Sequence, residues 1–314
     1  MKVFVAGATG AIGKQLVPRL LAAGHEVTAL TRSPDKAEAL LAAGAEPVVA
    51  DALDRDAIVA AVARAQPEVV VHELTAIEDL RDMRHFDRGF AATNRLRTEG
   101  TDNLLAAARA AGARRFVAQS FGGWPYAREG GPVKTEDDPL TSDPPASIRE
   151  TFAAIQHLEA AVTSAEGIEG LVLRYGGFYG PGTSITREGG DTSELVRKRR
   201  FPIVGGGGGV WSMVHIEDAA TATVAAVERG APGIYNVTDD EPAPVREWLP
   251  VLAQALDAKP PRRVPAWLGR IAAGELAVTM MTAIRGASNA KAKRELGWTP
   301  RYASWREGFQ AGLG

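Results

Sequence analysis

Three glycines, Gly7, Gly10 and Gly13, stand three residues apart in VFVAGATGAIGKQL, a spacing suited to binding a pyrophosphate. Glycines allow a tight turn and close backbone approach, and a helix starting there aims its unpaired N–H groups and positive dipole end at the anion. The pattern G-x-x-G-x-x-G differs from the dinucleotide fingerprint G-x-G-x-x-G, so its placement carries the argument. It falls between an apolar β-rich run, Val3 to Val5, and a helical pattern with Ile12, Leu16 and Leu20 on one stripe. Gly24 closes that helix, and Pro18 inside it is expected to cost one hydrogen bond. About twenty residues past the loop comes Thr31-Arg32-Ser33. An acid there would hold the ribose 2′-hydroxyl of NAD, whereas an arginine accommodates the 2′-phosphate of NADP. No acid occurs before Asp35, so NADP is the favoured cofactor and NAD the alternative.

One unit positions this chemistry and recurs along the chain: an Ala/Leu-rich helix, a glycine, then a β-rich run. It reads LLAAG-HEVTALT, ALLAAG-AEPVVAD, AAARAAG-ARRFVAQS and AAVTSAEG-IEGLVLRYG, with a further strand in PEVVVHELTA. Helices that end at glycine and feed buried strands predict a doubly wound α/β domain, with ligands beyond the carboxyl ends of the strands. We expect residues 1–175, joined by 210–240, to form the dinucleotide-binding domain. Residues 176–209 and 241–314 would form a smaller, mostly helical substrate lobe. The Gly/Pro/Asp-rich loop 121–145 reads as a lid or binding loop, and Trp124 and Tyr126 at its start argue against plain disorder. The run Gly205 to Gly209 reads as a second mobile stretch.

Composition excludes several classes. The formal net charge of −2, with 24% charged residues, implies no general attraction to nucleic acid. The absence of cysteine removes disulfide and thiolate chemistry, and no metal-ligand constellation stands out. No apolar run reaches the roughly 18–20 residues of a membrane span, and a strand at residue 2 or 3 leaves no room for a signal peptide. The expectation is a soluble, cytoplasmic protein with a small-molecule substrate; a homodimer stays open.

These segments resemble the extended short-chain dehydrogenase/reductase superfamily of NAD(P)-dependent epimerases, dehydratases and reductases. The resemblance runs the whole length, through GATGAIG, VVADALD, ATNRLRTEGTDNLLAAA, FVAQS, LRYGGFYGPG, VHIEDAA, YNVTDDEP and ELGWTP. It implies that Gly7, Thr9, Gly10, Ile12 and Gly13 contact the dinucleotide, Arg32 the 2′-phosphate, and Asp51 with Ala52 the adenine. His72, Leu74 and Asn94 would lie along the cofactor, His72 having an equally good reading as a packed strand-end residue. His215 and Tyr179 read as structural.

The superfamily's chemistry also implies a Ser/Thr after the fifth strand and a Tyr-x-x-x-Lys on the next helix, where the lysine lowers the tyrosine pKa for proton exchange. Ser120 matches the first. The helix TFAAIQHLEAAV puts Thr151 in the tyrosine's place and Ile155 in the lysine's, and no Y-x-x-x-K occurs anywhere. Tyr126 is the preferred replacement donor, with Tyr175, His157 and water as alternatives. Trp124, Tyr175 and Trp211 are the candidate substrate contacts. Trp211 stands where relatives acting on nucleotide sugars carry a diphosphate-binding arginine, which favours an apolar or aromatic carbonyl or conjugated substrate. Three readings follow: an NADP(H)-dependent oxidoreductase with a non-standard donor, a cofactor-retaining epimerase, dehydratase or isomerase, and an NADP-binding regulatory protein without turnover.

Overall fold

The computed structural model describes residues 1–77, 83–123 and 125–314. Its centre is a sheet of seven parallel strands: β1 (Lys2–Ala6), β2 (Glu26–Thr31), β3 (Glu46–Val49), β4 (Val69–His72), β5 (Arg115–Phe121), β6 (Glu169–Tyr175) and β7 (Gly233–Val237). Their spatial order is β7-β6-β5-β4-β1-β2-β3. The chain runs outward from β1 to β3, crosses back to β4, and runs outward again on the other side. The doubly wound fold expected from the sequence is the fold observed.

Both faces of the sheet are covered, which is why its strands read as continuous apolar runs. Val3 and Val5 point to one face and pack with Ile12, Leu16 and Leu20 of α1 (Ala11–Ala22) and with the Ile216–Glu228 helix. Phe4 and Ala6 point to the other, among Ile58 of α3, Leu104 of α5 and Leu158 of α6, while α2 packs through Leu40 on the first face. Here α2 is Pro34–Ala42, α3 Arg55–Ala65, α4 Phe86–Arg95, α5 Thr101–Ala110 and α6 Arg149–Thr163. The glycines that close the four repeated units, Gly24, Gly44, Gly112 and Gly167, have φ of +81°, +94°, +75° and +74°. A side chain there would strain the turn that returns the chain to the sheet.

A third core, built from residues after the sixth strand, surrounds Tyr179, Trp248, Trp305 and Phe309. Its helices are α7 (Asp191–Arg197), α9 (Val245–Ala255), α10 (Ala266–Thr282) and α12 (Trp305–Ala311), with α8 (Ile216–Glu228) returning to the sheet and α11 (Ala290–Glu295) beside β7. Two stretches expected to be loose are tied down. In the 121–145 loop, Val133–Lys134 pairs in parallel with Gly286–Ala287. In the glycine run, the Gly205 and Gly209 N–H groups donate to the Val264 and Met281 carbonyls. A Cβ on Gly207 would come 2.7 Å from Ile203, so these glycines serve close packing.

Candidate active site

The glycine loop joins β1 to α1 at the point where strand order reverses, between β1 and β4, the position at which open α/β sheets bind ligands. Gly7 has φ +102°, and a Cβ on it would fall 2.5 Å from the Glu73 carbonyl oxygen. One on Gly13 would overlap the Gly7 carbonyl. Gly10 caps α1 without a side-chain partner, so the helix start offers bare N–H groups to an anion. Ile12 is buried beneath the turn.

Beside the loop lies a cleft of about 310 Å³ lined by Thr9, Thr31, Arg32, Ser33 and Lys36. The exposed Arg32 and Lys36 flank the start of α2, so two cations border the cleft. Lys36 and Ser33 were not singled out from the sequence, although Lys36 sits one helical turn past Arg32 and that spacing could have found it. Asp51 is exposed after β3, its carboxylate accepting from the Leu53 N–H at 3.0 Å. Ala52 is buried, its carbonyl accepting from Asn103.

The end of β4 is polar and closed. His72 is wholly buried, with Nε2 3.1 Å from Thr101 Oγ1 and 3.3 Å from the Leu96 carbonyl, and Nδ1 accepting from the Leu74 N–H. Burial lowers its pKa to about 4, so the ring is neutral and packs as a strand-end residue. Glu73 was not anticipated. Its Oε1 accepts from the Tyr175 hydroxyl at 2.9 Å, while its buried Oε2 has no partner. Burial raises this carboxyl to about 8, so it carries its proton at neutral pH. Tyr175 also bonds Thr223 at 2.7 Å and is 1% exposed. The structure therefore places Tyr175 under the glycine loop, away from Ser120.

Ser120, near the end of β5, donates to Glu159 Oε1 at 2.7 Å. Glu159, on α6, is held by Arg174 of β6 through contacts of 2.8 and 2.6 Å. Arg174 donates in turn to the Tyr126 hydroxyl at 3.0 Å, and Tyr126 donates to Asn236 Oδ1 at 2.8 Å. Burial works against the charge on Arg174, yet the hydrogen bonds and charge of Glu159 carry its pKa above the usual arginine value. Tyr126 is 1% exposed and burial raises its pKa. The candidate catalytic pair Ser120 and Tyr126 is thus joined by an ion pair that the sequence did not reveal, and the tyrosine proton is committed to Asn236.

The positions aligned with the proton-exchanging pair are filled otherwise. Thr151 Oγ1 donates to Asp87 at 2.7 Å and accepts from Asn94 Nδ2 at 3.1 Å. Ile155 is 1% exposed. His157 points outward to Asp102 at 2.9 Å. His215 caps α8 and bonds the Gly312 carbonyl at 2.9 Å. Trp211 donates through Nε1 to the Met280 carbonyl at 2.9 Å, with its ring centroid 5.2 Å from that of Trp248, fixing the end of the glycine run to α10. Trp124 lies outside the described residues.

A family model, the NAD dependent epimerase/dehydratase family, matches residues 3–238. The chain belongs to that family, and with it to the NAD(P)-dependent enzymes. It is 50% identical to a 3-diazoavenalumate denitrifying reductase of a Streptomyces species, over 98% of this chain and 99% of that one. It is 28% identical to a 4-hydroxy-2-methyl-3-oxo-4-farnesyl-3,4-dihydroquinoline-1-oxide ketoreductase of Stigmatella aurantiaca, over 96% and 92% of the two chains. Among solved structures, the UDP-glucose 4-epimerase of Thermotoga maritima shares the fold, with a TM-score of 0.76 at 22% identity, over 100% of this chain and 97% of that one. Among the described residues, no helix is long and apolar enough to cross a membrane.

Proposed function

We propose that this chain is an NADPH-dependent reductase that delivers hydride to a small conjugated electrophile, a diazo compound in the first instance. The observation that carries the reading is the filling of the proton-exchange positions: Thr151 is pinned to Asp87, and Ile155 is apolar and buried. Reducing a carbonyl leaves an alkoxide that needs a proton from a nearby acid. A diazonium group makes no such demand. Hydride on its terminal nitrogen gives a neutral diazene, which loses N₂ as its nitrogen proton passes to solvent and the carbon takes one back. The balance is R–N₂⁺ + NADPH → R–H + N₂ + NADP⁺. The half-identical relative named as a diazo-compound reductase supports this acceptor.

The residues fit the dinucleotide. Gly7 and Gly13 leave no room for side chains, Gly10 opens the α1 N-terminus, and Thr9, Arg32, Ser33 and Lys36 shape a cleft for a phosphate. Bound there, the reduced nicotinamide supplies a hydride. In this reading Asp51 and Ala52 border the adenine, and Leu74 and Asn94 stand toward the nicotinamide end. Residues 1–175 with 210–240 hold the cofactor, and 176–209 with 241–314 hold the substrate. Ser120 orients the substrate from its bond to Glu159, and Tyr126 acts through Arg174. The indole of Trp211 offers no charge for a sugar diphosphate, which disfavours the nucleotide-sugar epimerase reading.

Two results are expected. Anaerobic mixing of the protein with NADPH and an arenediazonium carboxylate should yield N₂ and NADP⁺ in equal amounts. NADPH oxidation without N₂, or neither, would overturn the diazo assignment. Arg32→Ala and Lys36→Ala should each weaken NADPH binding about tenfold or more, since a charge-assisted hydrogen bond is worth about 1.5–3 kcal/mol. NADH binding should hardly change. Fluorescence titration decides, and equal losses for both cofactors would count against a 2′-phosphate contact.

A further inference from the structure

We propose that Arg97 binds a negatively charged, ring-conjugated oxygen of the substrate, a phenolate-type oxygen, next to Ser120. The proposal rests on the reductase reading for the choice of substrate, but its physical basis is independent. Arg97 lies in the five-residue π-helical segment Leu96–Gly100 that joins α4 to α5. It is 6% exposed, its Nη1 has no hydrogen-bond partner, and among the described residues no carboxylate pairs with it. A buried cation without a partner costs several kcal/mol, so its presence calls for a ligand.

The surroundings show where that ligand belongs. Leu96, the preceding residue, turns its carbonyl to His72 at the end of β4. The Phe90 ring lies 5.9 Å from the guanidinium. The negative charge that acts on it is that of Glu159, whose field opposes the lowering of the Arg97 pKa by burial, to about 10. Yet Glu159 is already engaged by Ser120 and Arg174. One turn earlier, Asn94 gives its Nδ2 to Thr151 and leaves a buried Oδ1 without a partner. The corner between the end of β4, the Ser120–Glu159 contact and Thr151 therefore holds an unused cationic donor and an unused acceptor.

A guanidinium suits an oxygen anion because its planar fork donates two parallel hydrogen bonds. The chemistry explains why a reductase would place one there. In a diazo compound conjugated with a ring oxyanion, the oxygen's charge spreads onto the nitrogens and makes them poor hydride acceptors. Fixing that charge on oxygen leaves the terminal nitrogen electron-poor. Arg97 would thereby promote hydride uptake without moving a proton, in a site that has lost its tyrosine and lysine.

4-Nitrophenol is the test ligand, since it pairs a ring oxygen with a conjugated electron-withdrawing group and its visible band reports ionisation. In a pH titration of the protein saturated with NADP⁺, bound nitrophenol should ionise at least one pH unit lower than free nitrophenol, a tenfold change. Arg97→Gln and Arg97→Met, two variants that remove the charge differently, should abolish that shift, whereas Arg97→Lys should keep part of it. NADPH affinity should stay within about twofold in each. A wild type that leaves the probe un-ionised, or an unchanged shift in either neutral variant, overturns the proposal. Failure of the diazo assay with the shift intact would instead remove only the reductase reading of this site.

Discussion

Replacing Glu159 by alanine is expected to destabilise the fold by about 3–5 kcal/mol, because it strands a buried cation. The Glu159 and Arg174 side chains are 7% and 5% exposed, and their closest contact is 2.6 Å. Removing the carboxylate leaves Arg174 with only Tyr126, and leaves the Ser120 hydroxyl without its acceptor. The double variant Glu159→Met/Arg174→Met should be more stable than Glu159→Ala, since it takes both charges out together. Urea unfolding of Glu159→Met, Arg174→Met and the double variant gives the coupling directly. A loss below 1 kcal/mol for Glu159→Ala would show that water reaches the pair. Because the same carboxylate orients Ser120, kcat should fall in the double variant even where stability recovers.

The second large effect is one of pH, and it works in favour of the variant. Glu73 ordinarily would ionise near 4.5, and burial raises it to about 8. Below pH 4.5 the folded and unfolded chains both hold the proton. Between 4.5 and about 8 the unfolded chain releases it while the folded one keeps it, so stability falls as pH rises. Over that window the loss is of the order of 3–5 kcal/mol, from about 1.4 kcal/mol per pKa unit. Glu73→Gln mimics the protonated acid, so it should match the wild type near pH 4.5 and exceed it by several kcal/mol at pH 8. Asp239, also raised to about 8 by burial, leaves a residual slope of the same sign. His72 acts oppositely: lowered to about 4, it takes stability away as pH falls from 6.5. Thermal melts of both proteins from pH 4 to 9 test this, and parallel curves would rule out a neutral Glu73 in the fold.

The architecture was legible because the same helix, glycine and strand pattern repeats, and each repeat carries its own stop signal. The glycine loop and Arg32 were legible for a similar reason: their chemistry is local and their spacing short. Glu73, Glu159 and Arg174 were not, since a charged residue in a strand or helix reads as solvent-facing until its neighbours are known. Their partners come from distant segments: Tyr175 for Glu73, and Ser120 and Tyr126 for the ion pair. Tyr175 was misplaced for the same reason, as strand alternation gave no sign of which face held the glycine loop. Gly205 to Gly209 misled because a run of glycines signals freedom in isolation, whereas here it admits the backbone of α10 and Arg246.

The strand order also bears on how the chain is made. β7 is the last strand of the sheet and pairs with β6, which emerges about sixty residues earlier. At roughly 5–20 residues per second, β6 waits about 3–12 s on the ribosome for its neighbour. Throughout that interval the apolar strand Glu169–Tyr175 presents an open row of backbone donors and acceptors, the feature by which nascent chains pair with one another. Glu159 lies in the helix made just before this strand, so the charge that Arg174 brings to it has its partner already on the chain when it emerges.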